Sequence, residues 1–152
     1  MTRPDVDTWM MNLAWKASER STCLRRKCGC IIARGNRPLL HGYNGAASEE
    51  PHCAEVGCSR KDSKPGQDLN LCRGLHAEAG AISIASKYGI ATDGATMYVT
   101  HRPCKMCWPL IANAGIVCVK YEQDYPDPHA DEIPASIKAE KLNQQGIRQD
   151  NR

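Results

Sequence analysis

Two short segments, His76-Ala77-Glu78 and Pro103-Cys104-Lys105-Met106-Cys107, constrain this chain more than any other feature. One imidazole and two thiolates are three zinc ligands of a tetrahedral set, and the fourth position left open separates a catalytic site from a closed structural one. The fold must therefore bring two segments from opposite sides of an intervening strand to one point. Helix N-termini serve this purpose, because their free N–H groups and positive dipole ends stabilise thiolates. Pro103 suits such a start, and the two-residue gap between Cys104 and Cys107 lets both sulfurs face one ion. Glu78, two residues from His76, is the candidate catalytic residue. A single carboxylate beside an activated water can carry the protons that hydrolysis of an amino-substituted ring requires. The competing reading is a closed zinc ribbon with another cysteine as fourth ligand. The joint pattern of the two segments counts against it.

At 152 residues the chain is long enough for one domain with a core, read here as spanning 1–152. Phe is absent, so Ile, Leu, Val, Ala, Met and the three Trp must fill that core. Asp5 caps a first helix to about Arg20, with Val6, Met10, Leu13, Ala14 and Ala17 as its apolar stripe. Residues 28–34 and 39–43 read as a hairpin around Gly35-Asn36-Arg37-Pro38. His76–Tyr88 reads as a helix stopped at Gly89, 95–100 as a strand, 104–113 as a helix and 116–121 as a strand. This alternation predicts an α/β layered domain. Pro134–Gln145 is expected to form a surface helix, and Gly146 onward an edge strand or tail.

Residues 44–74 lack a sustained period, and a structureless loop of that length needs something to pin it. It holds Cys53, Cys58 and Cys72, three of nine cysteines. No apolar run approaches the roughly 18 residues that span a membrane. No signal-peptide core follows Met1, so the protein is expected in the cytoplasm, where clustered cysteines are metal ligands more often than disulfides. A net charge of +3 suits a small anionic ligand. With only 5% aromatic residues it argues against nucleic-acid binding.

Together with Lys27-Cys28-Gly29, Gly42-Tyr43-Asn44-Gly45 and Gly94–Thr100, the metal segments make the chain resemble the deoxycytidylate (dCMP) deaminases. The likeness is strongest to the phage type within the cytidine deaminase superfamily, and extends to the related late competence proteins. It runs from about residue 10 to residue 125. The resemblance implies an α/β/α sandwich around a five-stranded mixed sheet, and zinc-dependent hydrolysis of dCMP to dUMP and ammonia for thymidylate synthesis. It also implies a homohexamer activated by dCTP with Mg²⁺ and inhibited by dTTP. By position, Asn44 meets the deoxyribose, backbone around Thr100 faces the cytosine amino group, and Asn44 and Gly45 line the effector site. Cys23 and Cys53 align with structural-zinc ligands, so that Cys23, Cys53, Cys58 and Cys72 make a candidate second zinc site. His52 is a rival ligand there. Arg26 and Lys27 are candidates for a phosphate, Tyr121 and Tyr125 for closing over the nucleotide, and Lys87 for effector phosphates or a subunit interface. Gly80 stands where the family usually has Asn, which suggests close packing or ligand approach.

Overall fold

The computed structural model describes residues 2–143. Helix α1 spans Val6–Ser18, and Asp5 caps it by accepting the Thr8 N–H at 2.9 Å. Strands β1 (Gly29–Arg34) and β2 (Arg37–Tyr43) follow, then a two-residue strand β3 (Gly45–Ala46) and a short helix α2 (Cys53–Val56). Next come β4 (Gly74–Leu75), α3 (Ala77–Tyr88), β5 (Thr96–His101), α4 (Cys107–Asn113), β6 (Cys118–Gln123) and β7 (Lys138–Lys141). Five strands form one mixed sheet in the order β2-β1-β5-β6-β7. β1 runs antiparallel to β2 and β5, whereas β5, β6 and β7 are parallel.

Period-two alternation divides the sheet's side chains between two apolar clusters. Ile31, Ala33 and Tyr98 pack with Met10, Met11 and Ala14 of α1 on one face. Cys30, Ile32, Met97 and Val99 pack with Ala77 and Ala81 of α3 and Trp108 and Ile111 of α4 on the other. This is the expected three-layer architecture. Of the three Trp, only Trp108 is fully buried, while Trp9 is 40% exposed. Methionine and alanine supply much of the remaining packing.

Over its described part, 134–143, the helix expected at 134–145 is not formed: Lys138–Lys141 is the edge strand β7, parallel to β6. Ile137 and Ala139 pack against the core while Lys138 is exposed. So short an alternation in a polar stretch carries no distinctive helical or strand period. The expectation for Gly146 onward lies outside the described residues. Helix α4 also begins three residues later than expected. Cys104–Met106 form a turn in which Cys104 O accepts from both Cys107 N and Trp108 N.

The long segment between Asn44 and His76 is held mainly by polar bonds. β3 pairs β4 at its two ends. Arg25 donates to the Arg60 and Ser63 carbonyls, Arg60 to the Gln67 carbonyl, and Ser59 to the Leu71 carbonyl.

Helix α3 lies so close to β2 that a Cβ on Gly42 would collide with the Ala77 carbonyl and approach the Ala81 Cβ to 2.8 Å. Gly80 has no such constraint: a Cβ there meets only the Tyr43 carbonyl, at 3.6 Å. Close packing within the chain therefore does not explain Gly80. Gly80→Ala is predicted to stabilise the fold by about 0.5–1 kcal/mol through backbone entropy. Gly42→Ala should destabilise it by about 1–3 kcal/mol through overpacking. Denaturant unfolding of the two variants checks these opposite signs.

Candidate active site

His76 is the N-cap of α3, but its ring caps nothing. It turns instead toward the turn after β5, where Nδ1 lies 3.4 Å from Cys104 Sγ and 3.4 Å from Cys107 Sγ. The donor atoms of the three residues all lie within 4.8 Å of one another. A tetrahedral zinc with ordinary Zn–N and Zn–S bonds needs N···S edges of about 3.6 Å, so these residues fit the ion with little adjustment. Among the described residues they form the one group of three or more His, Cys, Asp or Glu so gathered.

Of the two sulfurs, Cys104 is the one polarised toward thiolate. The Cys107 thiol donates to Cys104, and that bond together with His76 lowers the Cys104 pKa to about 4. Cys107, holding the shared proton, is shifted upward. The bond to Cys104 raises His76 above the usual imidazole value against the opposing effect of burial.

Glu78, in the first turn of α3, is only 6% exposed. Burial raises its pKa, and the neighbouring His76 opposes that rise. His76 and Cys107 are among the neighbours that perturb its carboxyl, so the acid stands beside the candidate metal ligands. A carboxyl shifted upward in this way is better matched to both taking and giving protons.

His76, Glu78 and Cys104 line a cavity of about 290 Å³ at the C-terminal end of β5. Ligands of open α/β sheets bind at such strand ends. Asn44 and Gly45 also line it. Asn44 bridges the backbone before β1: its Oδ1 accepts from Cys28 N at 2.8 Å and its Nδ2 donates to Arg26 O at 2.7 Å. Its φ is not positive, so a left-handed turn does not account for this Asn.

Other expected residues are placed differently. Thr100 is fully buried, and its hydroxyl accepts from Gly29 N and bonds His101 Nδ1. Its side chain is thus a sheet-edge bond rather than a cavity group. Tyr121 points into the core beneath the sheet, and Tyr125, in the loop beyond β6, lines the cavity in its place. Lys27 is exposed and away from the cavity, whereas Arg26 lines it. Lys87 sits at the far end of α3, with its ammonium 5.6 Å from the Tyr88 ring centre. Cys23, Cys53, Cys58 and Cys72 all line the cavity on the side of the long loop. The Arg25 N–H points to Cys23 Sγ and the Arg60 N–H to Cys58 Sγ, both at 3.4 Å. Cys28 also lines the cavity, and burial raises its pKa to about 12.

Sequence reasoning missed three contributors. His101 and Arg60 line the cavity. Asp127, buried, accepts from Lys105 N at 2.7 Å and His129 N at 2.9 Å, and so holds the metal turn. An Asp before a Pro-His turn was its only local signal.

Comparison with known proteins agrees with this geometry. Residues 4–123 match the family profile described as the cytidine and deoxycytidylate deaminase zinc-binding region. ComE operon protein 2 of Bacillus subtilis is 44% identical over 134 residues, which are 88% of this chain and 68% of that protein. The deoxycytidylate deaminase of Schizosaccharomyces pombe is 37% identical over 125 residues, 81% of this chain; the chain spans only 38% of that relative's length. The crystal structure of dCMP deaminase from the cyanophage S-TIM5, in complex with dCMP and dUMP, superposes with a TM-score of 0.78 at 28% identity. It covers 93% of this chain and 100% of that one. The chain belongs to the cytidine and deoxycytidylate deaminase family, with the fold of its phage-type dCMP deaminases.

Proposed function

We propose that the protein hydrolyses dCMP to dUMP and ammonia with a zinc ion held by His76, Cys104 and Cys107. The observation that carries this reading is Glu78, a buried acid that lines the same cavity as His76 and Cys104. Zinc, when bound, supplies a Lewis acid that makes water nucleophilic near neutral pH. Glu78 takes a proton from the attacking water and gives it to ring nitrogen 3 as carbon 4 becomes tetrahedral, then takes the proton of the new carbon-4 hydroxyl and gives it to the departing amine as the C–N bond breaks and the carbonyl forms. Its raised pKa keeps the protonated form accessible for both deliveries. Asn44 orients the deoxyribose with the hydrogen-bonding capacity that its two backbone bonds leave unused.

A second, structural zinc on Cys23, Cys53, Cys58 and Cys72 belongs to the same reading. Support comes from all four lining one cavity and from the backbone N–H groups aimed at Cys23 and Cys58, although their sulfurs are not gathered as closely as the donors of His76, Cys104 and Cys107. Such a site would tie the long loop to the end of α1. All nine cysteines are free thiols, which suits a reducing, cytoplasmic setting. By resemblance the enzyme supplies thymidylate synthesis as a homohexamer, activated by dCTP with Mg²⁺ and inhibited by dTTP. Gly45 and Lys87 are the residues offered for effector contact. A non-catalytic, zinc-stabilised competence-type protein is the rival reading. The buried acid opposes it, because a scaffold gains nothing from a desolvated carboxylate.

Glu78→Gln is predicted to lower dCMP turnover by about 100-fold or more while zinc content stays constant. Turnover equal to the parent protein at matched zinc would remove Glu78 from the mechanism. Metal analysis of freshly folded protein should find two zinc ions per chain and only one in Cys58→Ser. One zinc in the parent would remove the second site.

A further inference from the structure

The long loop between β3 and β4 meets the loop beyond β6 in a close backbone contact. A Cβ built on Gly66 would collide with the Pro126 carbonyl oxygen and lie 3.1 Å from its carbon, so only glycine lets the two loops approach this far. Its φ of +77° also falls in the left-handed region that suits glycine. The long loop presents this residue from a stapled ring. Arg25 donates to the Arg60 and Ser63 carbonyls. Arg60, itself buried, donates through Nε and one terminal nitrogen to the Gln67 carbonyl. Gly66 is thus held from both sides.

The residue after Pro126 is Asp127. One oxygen of its buried carboxylate accepts the Lys105 N–H at 2.7 Å and the other accepts the His129 N–H at 2.9 Å. Lys105 lies between the two ligand cysteines, Cys104 and Cys107. On its far side this loop is anchored to α4. The Trp108 indole N–H donates to the Ala130 carbonyl at 2.9 Å, and Ala130 N donates to Asp127 O at 3.0 Å. Asp127 therefore sits between a fixed point on α4 and the contact with Gly66. Groups that orient metal ligands from behind typically contribute about 10- to 100-fold to metal affinity. We propose that Asp127 is a positioning residue for the turn that carries Cys104 and Cys107, and that the long loop sets its place through Gly66, so that this loop governs how tightly the site holds zinc. The inference rests on the zinc reading of His76, Cys104 and Cys107. It gives the long loop a part in the catalytic centre that does not depend on the loop's own cysteines.

The test uses zinc-loaded protein and two readouts. Hydrogen exchange, followed by mass spectrometry on peptides spanning 103–108, reports the Lys105 amide. Titration with a zinc buffer gives the free-zinc concentration at which dCMP turnover falls to half. Asp127→Ala is expected to speed exchange at Lys105 by about 10-fold or more and to raise that zinc concentration by about 10- to 100-fold. Exchange across β1 should stay at the parent rate. Asp127→Asn, which keeps one acceptor oxygen, should recover part of both effects. Gly66→Ala should reproduce them from the other side of the contact. Gly57→Ala should not: its φ is +90° in the same loop, but nothing lies within 4 Å of its Cβ. Combining Gly66→Ala with Asp127→Ala should weaken zinc no further than Asp127→Ala alone, to within about twofold. Losses that multiply, an equal effect of Gly57→Ala, or faster exchange throughout the sheet would overturn the proposal. So would parent-like exchange and zinc retention in Gly66→Ala. If the parent protein does not turn over dCMP, the deaminase reading fails, and exchange at Lys105 in the same variants still decides whether the long loop holds the turn.

Discussion

The contact between the N-terminus of α3 and the sheet fixes the reactive geometry. Gly42 allows the Ala77 carbonyl to sit directly on β2, and the same carbonyl accepts the Cys30 thiol of β1 at 3.3 Å. Ala77 is thus locked between the two residues that matter most, His76 before it and Glu78 after it. With that turn held, the imidazole projects toward the end of β5 and the carboxyl is driven under it, away from water. On the β5 side, Asp127 holds the turn between Cys104 and Cys107 through the Lys105 N–H. The sheet therefore acts as a template: β1 and β2 locate one half of the ligand set, β5 and β6 the other.

Charge at the site follows from this arrangement. Removing a carboxyl and two thiols from water disfavours their ionised forms; Glu78 and Cys107 shift upward accordingly, while the bond from Cys107 and the neighbouring His76 hold Cys104 down. A divalent cation relieves that strain, so metal affinity and acid strength are set by the same desolvation. Arg25, Arg26, Arg60 and Arg102 line the same cavity and give it positive charge away from the carboxyl and thiols.

The gathering of His76, Cys104 and Cys107 with Glu78 nearby, and the order of the main strands and helices, were legible because each rests on local chemistry: a ligand spacing, a helix cap, a run of β-branched residues. The C-terminal strand was not. Ile137 and Ala139 declare their face only once β6 offers an edge to pair with, and their neighbours Lys138 and Glu140 read equally well on a polar helix. Side-chain direction at the cavity was also illegible. Tyr121 and Tyr125 are alike in sequence, and strand parity sends the first into the core while the loop places the second at the cavity. Lys27 and Arg26 are adjacent, and only the backbone bonds made by Asn44 select which one faces inward. Asp127 carried no motif because its role is to bind two backbone N–H groups, one of them far back along the chain.

The most direct measurement is mass spectrometry of the product formed from dCMP by zinc-loaded protein in ¹⁸O-labelled water. Hydrolysis at the zinc site predicts dUMP carrying one ¹⁸O at carbon 4, with one equivalent of ammonia released. Unconverted dCMP with zinc bound, or dUMP lacking the label, would contradict it.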